Sequence, residues 1–90
     1  MQEYTLPFGN FHFYDDYVIS MINEGVDLNT DKLLQFYALC SDVYQSLPYN
    51  VIELRNTSFS IDPSFYIKYG HLLSNVKSHS VVDDFRHQQF

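Results

Sequence analysis

Residues 11–22 read FHFYDDYVISMI. Phe11 and Phe13 alternate with His12 and Tyr14, the period of two that gives a strand two unlike faces. Asp15-Asp16 interrupts the run, and Asp accepts the left-handed backbone of a tight turn better than most residues. Alternation then resumes, with Tyr17, Ile19 and Met21 on one face and Val18, Ser20 and Ile22 on the other. A β-hairpin is expected here. Upstream, Pro7 and Gly9 predict that the first strand, residues 4–14, is an edge strand bent or bulged near Gly9. Asn23-Glu24-Gly25 closes the return strand.

Beyond the hairpin the hydrophobic period lengthens. Leu33, Phe36, Tyr37, Cys40, Val43, Tyr44 and Leu47 recur at steps of three and four, the stripe of an amphipathic helix over 30–47. Asn29 or Thr30 can cap it, Asp31 suits the positive end of its dipole, and Pro48 stops it. NVIELRN at 50–56 reads as a strand, and Thr57 to Ile61 as a polar loop. Asp62-Pro63 supplies a cap and a proline at the first helical position, which predicts a helix over 63–73. That helix presents Phe65, Tyr69 and Leu72, with Tyr66 and Leu73 close by, and Gly70 weakens its last turn. Residues 76–82 read as a last strand, and Asp83-Asp84 as the start of a helix too short to stand alone. The order β-β-α-β-α-β predicts an α/β fold, a small mixed sheet of about four strands with helices on one face.

Ninety residues make a single domain, 1–90, that buries roughly 60–68% of its unfolded surface. Its 18% aromatic content, eight Phe and eight Tyr, lets few side chains fill that thin core. Eleven acids against five bases leave a net charge of −6, and Lys32, Arg55, Lys68, Lys77 and Arg86 are scattered. Nucleic acid and anionic membranes need clustered cations, so neither is an expected partner. Cys40 is alone, which rules out an internal disulfide and reads as a small buried hydrophobe. MQEYTLPFGN has neither a basic start nor an apolar core, so no leader or membrane span is expected and the default location is cytoplasmic.

No set of reactive groups stands out. His12, His71, His79 and His87 never fall one helical turn apart, so no metal site is expected. Asp15-Asp16 and Asp83-Asp84 are neighbours in turns and point apart, whereas acid–base work needs two carboxyls aimed at one atom. No G-x-S-x-G elbow surrounds a serine, and Gly9, Gly25 and Gly70 are too dispersed to cradle a phosphate. Neither catalysis nor a cofactor is expected. Arg55 and Asn56 stand where open α/β sheets present ligand contacts, at the end of a strand. Arg55 can pin the loop through Glu53 or Asp62, or it can contact a partner.

Three stretches carry a family likeness: LPFGNFHFYDDYVISMINEGV at 6–26, VIELRNTSFSIDP at 51–63 and SVV at 80–82. In pattern they resemble short bacterial proteins of the STAS/SpoIIAA-like class, found mainly among Bacteroidetes. The resemblance implies a sheet with crossover helices on one side, and members with a further strand and helix beyond the point where this chain stops. In anti-anti-sigma members a serine before the second helix is phosphorylated and switches partner binding. Ser58, Ser60 and Ser64 occupy that neighbourhood, but the Asp-Ser-Ser-Gly context is absent and the phosphosite is not carried over. The leading expectation is a non-catalytic protein-interaction module acting through Arg55, Asn56, Ser58, Ser60, Asp62 and Ser64. Two alternatives are a carrier of a small apolar ligand or lipid in the SEC14-like manner, and a self-associating homodimer joined at a sheet edge.

Overall fold

A computed structural model describes residues 2–55, 60–61 and 63–83. Three strands open the chain: β1 (Gln2–Leu6), β2 (Gly9–Phe13) and β3 (Tyr17–Ile22). A two-residue strand β4 (Asp27–Leu28) precedes helix α1 (Thr30–Tyr44), and β5 (Tyr49–Arg55) returns to the sheet. β6 (Ser60–Ile61), helix α2 (Ser64–Tyr69), a 3₁₀ turn at Gly70–Leu73 and β7 (Val76–Asp83) complete the described chain. The main sheet runs β1-β2-β3-β5-β7, and β4 pairs with β6 in a small second sheet. β1, β2 and β3 are antiparallel neighbours, whereas β3, β5 and β7 run parallel, joined through the two helices.

The hairpin across Asp15-Asp16 forms as its alternation predicts, Phe13 facing Val18 and Phe11 facing Ser20. The segment expected as one bent edge strand is instead two strands, so the main sheet has five strands rather than four. Leu6 pairs with Gly9 across a Pro7-Phe8 turn, where proline's fixed φ suits reversal. Asn23 ties that turn down: its backbone N–H donates to the Phe8 carbonyl at 2.9 Å and its amide to the Pro7 carbonyl at 3.2 Å. A Cβ on Gly9 would stand 2.6 Å from the Met21 carbonyl oxygen, so glycine is what lets β2 lie against β3.

Asn29 caps α1, accepting the Lys32 N–H at 3.0 Å. The helix ends at Tyr44, not Leu47. Gln45 takes φ 55 and ψ −120, its N–H donating to the Ser41 carbonyl, in a type II′ turn that the Leu47 N–H closes onto the Tyr44 carbonyl at 2.9 Å, and Leu47 is thrown out to 63% exposure. The second helix also closes early, tightening to a 3₁₀ turn at Gly70. The faster rotation of that turn carries Leu72 to the surface instead of the core, while Phe65 is buried and Tyr66, Tyr69 and Leu73 pack beside it. The short helix foreseen after Asp83 lies outside the described residues.

Both helices cover the face that carries Phe11, Phe13, Val18 and Val51. Rings dominate the seam. Phe11 and Phe36 have centroids 5.0 Å apart, Phe13 and Tyr44 5.8 Å, and Tyr44 stacks on Tyr49 at 4.6 Å. The Tyr44 hydroxyl lies 2.8 and 2.6 Å from the carbonyl oxygens of Tyr14 and Tyr17, which locks the end of α1 to the hairpin. Phe11 is fully buried, so Phe11→Ala is expected to lower the unfolding free energy by about 3–5 kcal/mol. Leu72→Ala, at an exposed position, should change it by less than about 0.5 kcal/mol. Urea titration of both variants checks the assignment, which is wrong if the two costs are similar.

Candidate functional site

β5 decides what lies at the site. Its odd positions, Tyr49, Val51 and Glu53, turn toward the helices and are buried, so a carboxylate enters the core side while Ile52 and Leu54 face away. A buried anion needs a partner, and the Arg55 guanidinium, two residues along the same face, donates to Glu53 Oε2 at 3.2 Å. The Arg55 side chain keeps 41% of its surface exposed against 5% for Glu53. The pair thus has one end in the core and one at the surface. Arg55 pins the end of β5 to the core and still presents a cation to the outside.

Beside Glu53 lies a cavity of about 20 Å³, walled by Phe8, Ser20, Phe36, Tyr37, Tyr66 and His79 among others. That is room for about one water and far below the roughly 300 Å³ at which small-molecule sites begin. The Tyr37 and Tyr66 hydroxyls meet at 3.5 Å, and the Tyr66 ring stands 6.2 Å from that of His79. Burial pushes both hydroxyls up, aided at Tyr37 by Tyr66 and opposed at Tyr66 by their shared hydrogen bond. Neither ionises at neutral pH. Burial also pushes the Cys40 thiol up to about 12, so Cys40 is a buried thiol and not a nucleophile at neutral pH.

The residues expected in the interaction segment have different places. Arg55 ends β5; Ser60 belongs to β6, where it pairs with Asp27; Ser64 opens α2 and is exposed. Asn56, Ser58 and Asp62 lie outside the described residues. Pro63, expected at the first helical position, instead directly precedes α2 with helical angles, φ −67 and ψ −21, so the helix begins one residue later, at Ser64. His12 pairs with Glu3 at 3.1 Å across β1 and β2, and His71 is exposed in the 3₁₀ turn. Among the described residues, no group of three or more His, Cys, Asp or Glu is placed to hold a metal ion. No helix there is long and apolar enough to cross a membrane. Glu53 is the residue that sequence reasoning passed over as a site component. Its signal was a lone acid inside an apolar strand.

Comparison with protein-family models, with curated proteins and with solved structures finds no significant match for this chain.

The buried acids of the core predict an alkaline limit. Cys40 rises from 9.0 and Tyr44 from 10.0, each to about 12, mainly through burial. Both are neutral when protonated, and the folded chain holds those protons more tightly than the unfolded one. Their stabilisation is complete below about pH 9 and is lost as pH climbs toward 12. Thermal melts followed by circular dichroism should therefore show a falling midpoint between pH 9 and pH 12. A midpoint flat across that window refutes the burial of these groups.

Proposed function

We propose that this chain is a non-catalytic protein-interaction module of the STAS-like kind that engages its partner through the segment from Arg55 to Ser64. A bacterial cytoplasmic setting belongs to the same reading. The observation that carries it is the Arg55–Glu53 pair, which fixes a half-exposed cation at the C-terminal end of a central parallel strand. Such strand ends, with the loops that follow, are where open sheets meet their ligands. A cation already held in place loses less side-chain freedom on binding than a free one. On a chain of net charge −6 it offers an acidic group of a partner a defined point of contact.

Two further features favour this reading. Ser64 lies exposed at the start of α2, within reach of whatever touches the segment. The cavity beside Glu53 is too small for an acyl chain, so a lipid has no room at that position.

The experiment is retention of a stoichiometric partner from source-cell extract by immobilised wild-type chain, compared with Arg55→Glu and Ser64→Tyr. Arg55→Glu should abolish retention and Ser64→Tyr should weaken it, with both variants keeping the wild-type far-ultraviolet spectrum. Retention that neither substitution alters, or no stoichiometric partner at all, removes the proposal.

A further inference from the structure

The helices leave the other face of the sheet without cover, and its composition is unusual. The register shows what crosses it. Ile19 stands between His12 and Ile52, Met21 beside Asn10, and Leu54 beside Val82. Tyr17 adjoins Asn50, which adjoins Ser78. The chain has five basic and eleven acidic residues, yet the residues that the register places on this face of β3, β5 and β7 include none of them; Lys77 sits at the register shift between Val76 and Ser78. The charged groups of the face, Glu3 and His12, stand to one side on β1 and β2 and pair with each other at 3.1 Å.

β3, β5 and β7 are parallel, and parallel strands are found almost only where both faces of the sheet are covered. β5 shows why. It places Tyr49 and Val51 under the helices and Ile52 and Leu54 on the opposite side, so it has apolar groups to bury in both directions. Three pairs of polar groups on the face are already joined within its plane. Ser78 donates to Asn50 Oδ1 at 2.7 Å, Asn50 to the Asp16 carbonyl at 3.2 Å, and Thr5 to Asn10 Oδ1 at 3.0 Å. Covering them strands few hydrogen bonds, which is the usual obstacle to burying such a surface.

We infer that this face docks against the same face of a second copy of the chain, giving a two-fold dimer with the two sheets stacked. Charge selects the occupant. A face whose centre is uncharged, with Glu3 and His12 paired to one side, complements itself, whereas two chains of net charge −6 repel when they meet on their other surfaces. Size agrees. Five strands about 4.8 Å apart and about 6 residues long at about 3.3 Å each give a footprint on the order of 400 Å². The accessible area of a side-chain surface exceeds its flat footprint, which brings each copy toward the ~800 Å² of a stable interface. Ile, Leu, Met and Val side chains also suit the ~10 Å spacing of stacked sheets. Arg55 itself stands on the helix side of β5, with Glu53, and not on this face.

Sedimentation equilibrium of the full chain tests this. Wild type should sediment at twice the chain mass at about 100 μM, and Ile52→Glu and Ile19→Lys at the chain mass with unchanged spectra. Ile67→Glu, on the fully exposed side of α2, should stay dimeric. Hydroxyl-radical footprinting of the wild type gives the same answer without a substitution: Met21 and Tyr17 should be protected in the dimer and reactive after dilution. A wild-type monomer at about 100 μM, a dimer that survives both substitutions, or protection confined to α2 overturns the inference.

Discussion

The seam between Phe11 and Phe36 is the contact on which the rest of this small protein depends. Phe11 is wholly buried on an inner strand, and Phe36 is the centre of the α1 stripe. Around that pair, Phe13 meets Tyr44, Tyr37 stacks on Phe65, and Tyr44 stacks on Tyr49. The seam thus joins the antiparallel hairpin, both helices and the central parallel strand in one ring-lined core. A chain of ninety residues has few side chains to bury, so large rings carry most of its hydrophobic stabilisation. The Tyr44 hydroxyl adds direction by binding the carbonyls at the turn of the hairpin.

The central strand β5 sorts the chemistry of the molecule. With one register it places an acid under the helices and two aliphatic residues on the opposite side. The buried acid calls for a cation, which is why Arg55 is held at the strand end rather than left to sweep through solvent. The aliphatic pair gives the opposite side an apolar centre between Ile19 and Val82. The two proposed surfaces are consequences of one alternation. A shift of β5 by a single residue would exchange them and expose the core.

Much of this was legible in the sequence because it is local. The Phe11–Ile22 alternation, the α1 stripe, the Asn29 cap and the order of strands and helices each follow from near neighbours. The end of α1 was not legible, because Gln45 takes the positive φ of a type II′ turn, which sequence reading looks for at Gly. Nor was the extra strand, since Pro7 and Gly9 mark a bend and a full reversal alike. Of the candidate segment, sequence singled out Arg55 at the strand end and left its two roles open; Glu53 at 3.2 Å shows that it pins the strand end.

By itself the sequence determined the class of the fold, through hydrophobic periods that change from two to three and four along the chain. It determined also the two faces of the hairpin, without choosing which of them is inner. Only the tertiary structure decided which side of β5 meets the helices, since its apolar residues occur on both sides and periodicity cannot choose between them. That choice fell to the register with β3, which sets Val51 beside Val18 and so carries Glu53 inward. Strand pairing acts between residues some thirty positions apart in the chain, beyond the reach of any local pattern.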